Sequence, residues 1–141
     1  MTEFIVDASV AVKWFLPEIY SHHAHRLRRA EYRLHVPAFF GLEFGSVLCK
    51  KLRRGEIDVD TSLAILSESR RLPLRRHSDE SIFPGAFSIA VRTGRSLYDC
   101  LYVALAVSLK GRVVTADRRL FEGLSGTAYE TNVTWVEHLK Q

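Results

Sequence analysis

The residues whose types and positions could do chemistry are four carboxylates: Asp7, Glu43, Asp99 and Asp117. Each of them borders or interrupts a segment of apolar residues. A carboxylate is seldom buried without a partner, because removing its charge from water costs several kcal/mol. Acids in such positions therefore cap helices, reach water from the edge of an apolar face, or act together at one place in the fold.

Two of these acids follow predicted strands. The apolar run Phe4–Val6 predicts a buried strand with Asp7 at its end, and Arg112–Thr115 predicts another with Asp117 two residues beyond it. The alternation of strand and helix along the chain predicts a parallel sheet with helices on both faces. Right-handed crossovers place the carboxyl ends of all strands at one edge, where ligands of open α/β folds bind. We therefore expect Asp7 and Asp117 to be neighbours at that edge.

The other two acids lie on predicted helices. A helix is expected to start at Pro37 and to stop at Gly55, with Glu43 on or beside its apolar stripe. The segment Ser96–Gly111 carries a single formal charge, that of Asp99, between Leu97 and Leu109. A helix that is apolar all round is a buried one, so this segment is expected to be the central helix.

The remaining elements complete the same pattern. We predict further helices over Glu18–Glu31, Asp58–Leu72 and Ser78–Thr93, and further strands over Arg33–Val36, Pro73–His77 and Thr131–Val136. Pro84 and Gly85 are expected to kink the third of these helices or to delay its start. No linker divides the chain, so residues 1–141 are predicted to form a single α/β domain.

Composition narrows the class of protein. A hydrophobic content of 47% provides a substantial core, and the formal net charge of +4 is compatible with a polyanionic partner without requiring one. No apolar run reaches the roughly 18 residues of a membrane span. The N-terminus lacks the features of a signal peptide, and Cys49 and Cys100 make no disulfide framework. We expect a cytoplasmic protein that does not enter a membrane.

Each acid also has a purely structural explanation. Asp is among the best residues for capping a helix, which could account for both Asp7 and Asp117. Ser96 and Asp99 have the spacing of a capping box, and an acid in the first turn interacts favourably with the helix dipole. Glu43 could reach water from the edge of its stripe. These explanations are compatible with convergence of the acids at one edge.

Convergence would carry an electrostatic cost. Two carboxylates about 5 Å apart repel by roughly 3 kcal/mol at an effective dielectric constant of about 20. A cluster of acids therefore requires protonation or a cation, and all-oxygen ligands suit Mg²⁺ or Mn²⁺ better than zinc. Ions held by carboxylates are the machinery of metal-assisted phosphodiester hydrolysis. The paired arginines are either ordinary solvated surface or phosphate contacts that read no bases: Arg53, Arg54, Arg118 and Arg119.

Four segments carry a resemblance to a known family: FIVDASVAVKWFL, PAFFGLEFGSVLCKKL, LYDCLYVALA and VVTADRRLF. In this order, from Ile5 to Val136, they resemble the PIN-domain ribonucleases, and especially the VapC-type toxins of toxin–antitoxin pairs. The resemblance implies a PIN-like three-layer α/β/α fold with a central, mostly parallel sheet of four to five short strands. It also implies an endoribonuclease that depends on Mg²⁺ or Mn²⁺, with catalytic and metal-binding acids at Asp7, Glu43, Asp99 and Asp117.

The resemblance extends to supporting residues and partners. Ser9 and Thr115 match the hydroxyl residues that the family places beside the first and last acids, whereas Ser46 stands where many relatives have Asn. The implied partners are an RNA substrate, a cognate antitoxin protein and a second copy of the chain in a homodimer. The alternative is a catalytically weak PIN-like domain that acts as an RNA- or protein-binding module.

Overall fold

The computed structural model describes residues 2–140, which are built around one twisted sheet. The strands are β1 (Thr2–Val6), β2 (Tyr32–Pro37), β3 (Arg75–His77), β4 (Arg112–Thr115) and β5 (Val133–Trp135). Their order in the sheet is β3-β2-β1-β4-β5, and every neighbouring pair is parallel. The predicted α/β class with a central sheet of four to five strands is confirmed, and the sheet is wholly parallel.

Helices cover both faces of the sheet. They are α1 (Ala8–Ala11), α2 (Ser21–Ala24), α3 (Phe40–Arg53), α4 (Val59–Ser69), α5 (Asp79–Thr93), α6 (Leu97–Leu109) and α7 (Arg118–Gly123). Successive residues of a strand point to opposite faces, so β1 serves two cores. Phe4 and Val6 belong to the core that α1 and α3 share, whereas Ile5 belongs to the core of α5 and α6. This is the three-layer arrangement.

Helix α6 is the central helix, as its apolar sequence predicts. Every residue from Cys100 to Ala106 is buried, and the helix packs on β1, β2 and β4 as well as on α5. Its first turn therefore lies beside the central strands. That position brings Asp99, in this turn, towards the carboxyl edge of the sheet.

The predicted helix over Glu18–Glu31 is wrong as a continuous element. The structure has only α2 followed by a short 3₁₀ helix, His25–Arg28. Tyr20 has a left-handed backbone, with φ of 68°, and Arg29 is extended, so helical conformation is confined to the residues between them. The indole Nε1 of Trp14, from outside the segment, donates a 2.8 Å hydrogen bond to the carbonyl of Ala24, where α2 passes into the 3₁₀ helix.

One further boundary differs from the prediction, and the structure excludes one of the two expectations for Pro84. Pro37 does not start a helix, because it is the last residue of β2 and is paired with His77 of β3; α3 begins at Phe40. Helix α5 begins at Asp79, so Pro84 lies within it and does not delay its start. Proline has no N–H to donate to the carbonyl four residues earlier, that of Glu80, and both Pro84 and Glu80 are exposed.

The helices of residues 2–140 are all too short or too polar to cross a membrane.

Candidate active site

Asp7 and Asp117 lie at the carboxyl ends of the two central strands. Asp7 directly follows β1, Asp117 comes two residues after β4, and these strands are paired side by side with Val6 opposite Val114. The backbone N–H of Asp7 donates to the carbonyl of Val114 at 3.2 Å, which extends the ladder to the acid itself. Asp7 is only 7% exposed. The parallel topology thus places the first and last acids next to each other.

Two hydroxyl groups connect the turns that carry these acids. Ser9 Oγ and Thr115 Oγ1 both donate to Asp7 Oδ2, at 2.8 and 2.7 Å. Thr115 Oγ1 in turn accepts the backbone N–H of Asp117 at 3.0 Å, and Ser9 Oγ accepts that of Ala116 at 3.1 Å. The two residues that the sequence singled out as supporting therefore hold one carboxylate oxygen and brace the neighbouring strand end.

The structure separates the capping explanations. Asp7 makes no side-chain cap on α1, so capping does not account for it. Asp117 does cap α7, since its Oδ1 accepts the backbone N–H of Arg119 at 3.0 Å. At α6 the capping residue is Ser96, whose Oγ accepts the N–H of Asp99 at 3.1 Å, so the Asp99 carboxylate is left for another role.

Glu43 is held by a residue that the sequence did not reveal. It lies in the first turn of α3, where its Oε1 accepts a 2.7 Å hydrogen bond from the hydroxyl group of Tyr102 on α6. Tyr102 is 1% exposed, and it follows Asp99 by three residues, so both lie on one side of α6. That spacing is the signal by which Tyr102 could have been found.

Burial and mutual repulsion set the electrostatics of the site. Burial raises the pKa of Asp7 above its ordinary value, and the charges of Asp99 and Asp117 raise it further. The hydrogen bonds from Thr115 and Ser9 lower this pKa, because they stabilise the charged form. Since Asp7 responds to both other aspartates, the three carboxylates lie within range of one another's fields.

The same causes act on the other two acids. Burial raises the pKa of Glu43 to about 7, with the charge of Asp7 as the next cause, while the hydrogen bond from Tyr102 lowers it. Burial is likewise the largest cause of the raised pKa of Asp99, followed by the charge of Asp117. We call Asp7, Glu43, Asp99 and Asp117 the acidic cluster. Acids with raised pKa values, such as Asp7, Glu43 and Asp99, that interact with one another at a sheet edge are a mark of functional sites.

The donor chemistry of the acidic cluster suits a hard divalent cation. All four members offer carboxylate oxygens, which Mg²⁺ and Mn²⁺ prefer. Within residues 2–140, however, no group of three or more His, Cys, Asp and Glu side chains stands in a geometry that could hold a metal ion. The cluster thus fits such an ion in charge and ligand type, but its side chains do not converge on one point in this conformation.

The arginines are distributed unevenly around the cluster. Arg118 and Arg119 follow Asp117 and are both exposed. The guanidinium of Arg118 lies 4.5 Å from the centre of the Trp135 ring and pairs with Glu122 at 3.7 Å. Arg53 and Arg54 lie at the far end of α3, about 15 Å along the helix axis from Glu43. Arg118 and Arg119 thus adjoin Asp117 in the chain, whereas Arg53 and Arg54 are away from the acids.

Ser46 and one further arginine complete the neighbourhood. Ser46 is exposed on α3, and no side-chain hydrogen bond to it occurs in the part of the chain that the structure describes. Arg95, which the sequence did not single out, places Nη2 3.6 Å from Asp99 Oδ2. Arg95 precedes Ser96, the capping residue of α6, so the pair forms across the helix start, and helical spacing would not have predicted it.

The hydroxyl network predicts a measurable contribution to stability. Thr115→Val removes a donor to the buried Asp7 and the acceptor of the Asp117 N–H. We expect the free energy of unfolding to fall by about 1–3 kcal/mol, because buried polar groups lose their partners. Urea unfolding without added metal measures it. Thr134→Val on β5 is the matched control, since Thr134 Oγ1 is buried without a partner among residues 2–140. An equal loss in both variants would contradict the assigned network.

Fold and site together define a three-layer α/β protein with an acidic site at the carboxyl edge of the central strands of a parallel sheet. The chain belongs to the PIN domain family, whose model matches residues 4–125.

Individual relatives agree with this assignment. Ribonuclease VapC3 of Pyrobaculum aerophilum is 33% identical over 122 residues, which cover 85% of this chain and 93% of that protein. A crystal structure of a Pyrobaculum aerophilum protein superposes with a TM-score of 0.70 at 24% identity and covers 96% of this chain and 85% of its own. A toxin–antitoxin complex from Klebsiella pneumoniae contains a chain with a TM-score of 0.59 at 9% identity, covering 92% and 94%. At these identities, the two structures show a shared fold.

Proposed function

We propose that this chain is a metal-dependent endoribonuclease that hydrolyses RNA phosphodiester bonds, and that it is the toxin of a type II toxin–antitoxin pair. The observation that carries the proposal is the acidic cluster, in which burial and repulsion raise the pKa of Asp7, Glu43 and Asp99. Proteins do not gather buried acids without a compensating function, because the charges destabilise the fold. Membership of the PIN domain family and the 33% identity to a ribonuclease support the reaction class.

The metal would be Mg²⁺ or Mn²⁺, held by Asp7, Asp99 and Asp117 together with Glu43. When bound, such an ion supplies an activated water and stabilises the charge that develops on the phosphate oxygens. The chain itself keeps one part of the site fixed: Ser9 and Thr115 bind Oδ2 of Asp7, so Oδ1 is the atom left to face a ligand.

Glu43 is suited to move a proton. Its pKa of about 7 lies near neutral pH, where a general acid or base works best. Tyr102 donates a hydrogen bond to Oε1 and fixes the carboxyl group, so Oε2 is the atom that would either contact the ion or accept a proton from the attacking water. Attack by water on phosphorus with a 3′-oxygen leaving group would yield 5′-phosphate and 3′-hydroxyl ends.

The substrate and protein partners follow from the same proposal. The exposed Arg119 and the neighbouring Arg118 would hold backbone phosphates of RNA beside the acids, in keeping with the formal net charge of +4. Arg53 and Arg54 are candidates only for contacts distant from the scissile bond. The fold shared with a chain of a toxin–antitoxin complex supports a cognate antitoxin as inhibitor. The homodimer and the cytoplasmic location implied by the family stay predictions.

The proposal predicts metal-dependent cleavage and metal-dependent stability together. We expect purified protein to cleave single-stranded RNA with Mg²⁺ or Mn²⁺ and to stop on chelation with EDTA. The same ions should raise the melting temperature, because a ligand at about 100 times its dissociation constant stabilises the folded state by about 2.7 kcal/mol. Differential scanning fluorimetry and gel analysis of labelled RNA measure the two effects.

Matched variants separate the cluster from general effects of acid removal. Asp99→Asn should abolish cleavage and reduce the metal-induced shift. Asp58→Asn should change neither, because Asp58 is an exposed acid that caps α4, and Asn caps equally well. Metal-dependent RNA binding without cleavage by the wild-type protein would instead favour the catalytically weak binding module.

A further inference from the structure

Arg95 lies at the edge of the acidic cluster, immediately before α6. Its Nη2 is 3.6 Å from Asp99 Oδ2, which is an ion pair but too long for a hydrogen bond. The side chain is 27% exposed, so part of the guanidinium faces solvent while the rest is enclosed. Arg95 thus brings a positive charge to a place where the other groups are acids.

The protein holds this guanidinium in place at some cost. A Cβ atom on Gly123 would lie 2.8 Å from Arg95 Nη1 and 3.0 Å from Cζ, so only glycine leaves the space that the side chain occupies. Arg95 Nε is buried, and within residues 2–140 it has no hydrogen-bond partner. A charged side chain that could extend into water is instead kept packed and incompletely satisfied, which requires an explanation.

The explanation lies in the charge of the neighbouring acids. Asp99 carries a carboxylate whose ionised form is disfavoured by burial and by Asp117 and favoured by Arg95. A fixed monovalent cation at this point offsets part of the repulsion within the cluster. It also repels any divalent ion that approaches the same carboxylate.

We propose that Arg95 is a resident counter-cation that orients Asp99, competes with the divalent ion for the acidic cluster, and offers its exposed N–H donors to an RNA phosphate. This inference rests on the proposed nuclease function. It adds that Arg95 lowers the affinity for the metal ion and raises the affinity for RNA. Guanidinium groups suit the second task because their planar N–H donors match phosphate oxygens. The partly exposed face of Arg95 leaves such donors accessible.

A purely structural role of Arg95 predicts a different result. If Arg95 only stabilised the start of α6, its removal would weaken the fold, metal binding and RNA cleavage together. If it competes with the ion, its removal must strengthen metal binding while weakening the use of RNA. The signs of the two effects therefore distinguish the roles.

The experiment compares Arg95→Gln, Arg95→Lys and Gly123→Ala with the wild-type protein. Metal affinity is read from the MnCl₂ concentration that gives half of the maximal shift in melting temperature, and cleavage of a labelled oligoribonucleotide gives kcat and KM. For Arg95→Gln we expect a metal midpoint about five- to tenfold lower, from loss of one repulsive charge near the ion. We also expect the KM for RNA to rise about tenfold, as for a lost phosphate contact. Arg95→Lys, which keeps the charge, should stay close to the wild-type midpoint.

Gly123→Ala tests the same idea without removing the charge. Gly123 has no positive φ, so alanine suits its backbone, and the new Cβ atom would displace the outer part of the Arg95 side chain, from Cδ to Nη1. We expect a metal midpoint between those of the wild-type protein and Arg95→Gln. If Arg95→Gln does not fold, the metal midpoint of Gly123→Ala tests the role of Arg95 in its place.

Each outcome has one meaning. A midpoint unchanged or raised in Arg95→Gln, or in Gly123→Ala when the first does not fold, overturns the role of Arg95. A wild-type protein that shows neither a metal shift nor cleavage overturns the proposed function itself. A lower metal midpoint together with a higher KM for RNA in Arg95→Gln establishes that Arg95 opposes metal binding and supports RNA binding.

Discussion

Asp7→Asn is expected to lower the rate of RNA cleavage at saturating metal by at least about a thousandfold, since a metal-bound site supplies several kcal/mol of transition-state stabilisation. Asp7 is the most enclosed of the four acids, and its Oδ2 is already held by two hydroxyl groups. The amide keeps the shape but removes the charge that a cation needs. Single-turnover cleavage of a labelled RNA at several Mn²⁺ concentrations measures the loss.

The same variant should leave the protein without added metal at least as stable as wild type. Burial raises the pKa of Asp7, so its charged form opposes folding at neutral pH, and asparagine removes that charge. The amide oxygen can accept the hydrogen bonds of Ser9 and Thr115, so the network at the strand ends is kept. Thermal unfolding in EDTA is the readout. A marked drop in melting temperature would mean that the ionised carboxylate is mainly structural, and cleavage above a tenth of the wild-type rate would remove Asp7 from the site.

The second large effect is a pH dependence of stability that originates at Glu43. Its pKa of about 7 in the folded chain lies above the ordinary value of 4.5, so the folded state binds the proton more tightly than the unfolded state. The stabilising contribution of protonated Glu43 is thus complete below pH 4.5 and is lost as the pH rises to about 7. Each unit of pKa difference corresponds to about 1.4 kcal/mol before solvent screening reduces it.

Glu43→Gln should remove this part of the pH profile. We expect the free energy of unfolding in EDTA to fall less between pH 4.5 and 7 in the variant than in the wild-type protein. Divalent metal should act in the opposite direction, because it binds ionised acids, so its stabilising effect should grow over the same range. Urea unfolding at closely spaced pH values tests both statements, with Glu31→Gln, an exposed acid, as control. Parallel profiles for the wild-type protein and Glu43→Gln would show that Glu43 is not perturbed as described.

Much of the architecture could be predicted from local sequence patterns. The strands β1 and β4 are short apolar runs that could only be buried, and α6 is apolar on all sides, so its central place follows from composition alone. Alternation of strand and helix, with right-handed crossovers, was enough to put Asp7 and Asp117 at one edge. The hydroxyl residues Ser9 and Thr115 could be named beforehand because they match positions that the resembling family fills with hydroxyl residues beside those acids.

Local sequence patterns could not predict the contacts between segments that are distant in the chain. The α-helix predicted over Glu18–Glu31 ends at Ala24, whose carbonyl accepts a hydrogen bond from Trp14, and Pro37 continues a strand because β3 pairs with it. A hydrogen bond or ladder pair of this kind depends on which segments meet in space, and a local propensity of a few tenths of a kcal/mol per residue does not resist it.

The same distinction between local sequence patterns and tertiary contacts applies to the site. Residue types along the chain reveal that acids border buried segments, because burial of an unpaired charge is costly wherever it occurs. Which group faces each acid is a property of the packed helices: Tyr102 reaches Glu43 from another helix, and Gly123 makes room for the guanidinium of Arg95 beside Asp99. Arg53 and Arg54 were equally basic in sequence, yet the length of α3 carries them away from the acids. Residue types in the sequence identify the candidate site residues, and the distances between them in the folded chain show which of them lie together.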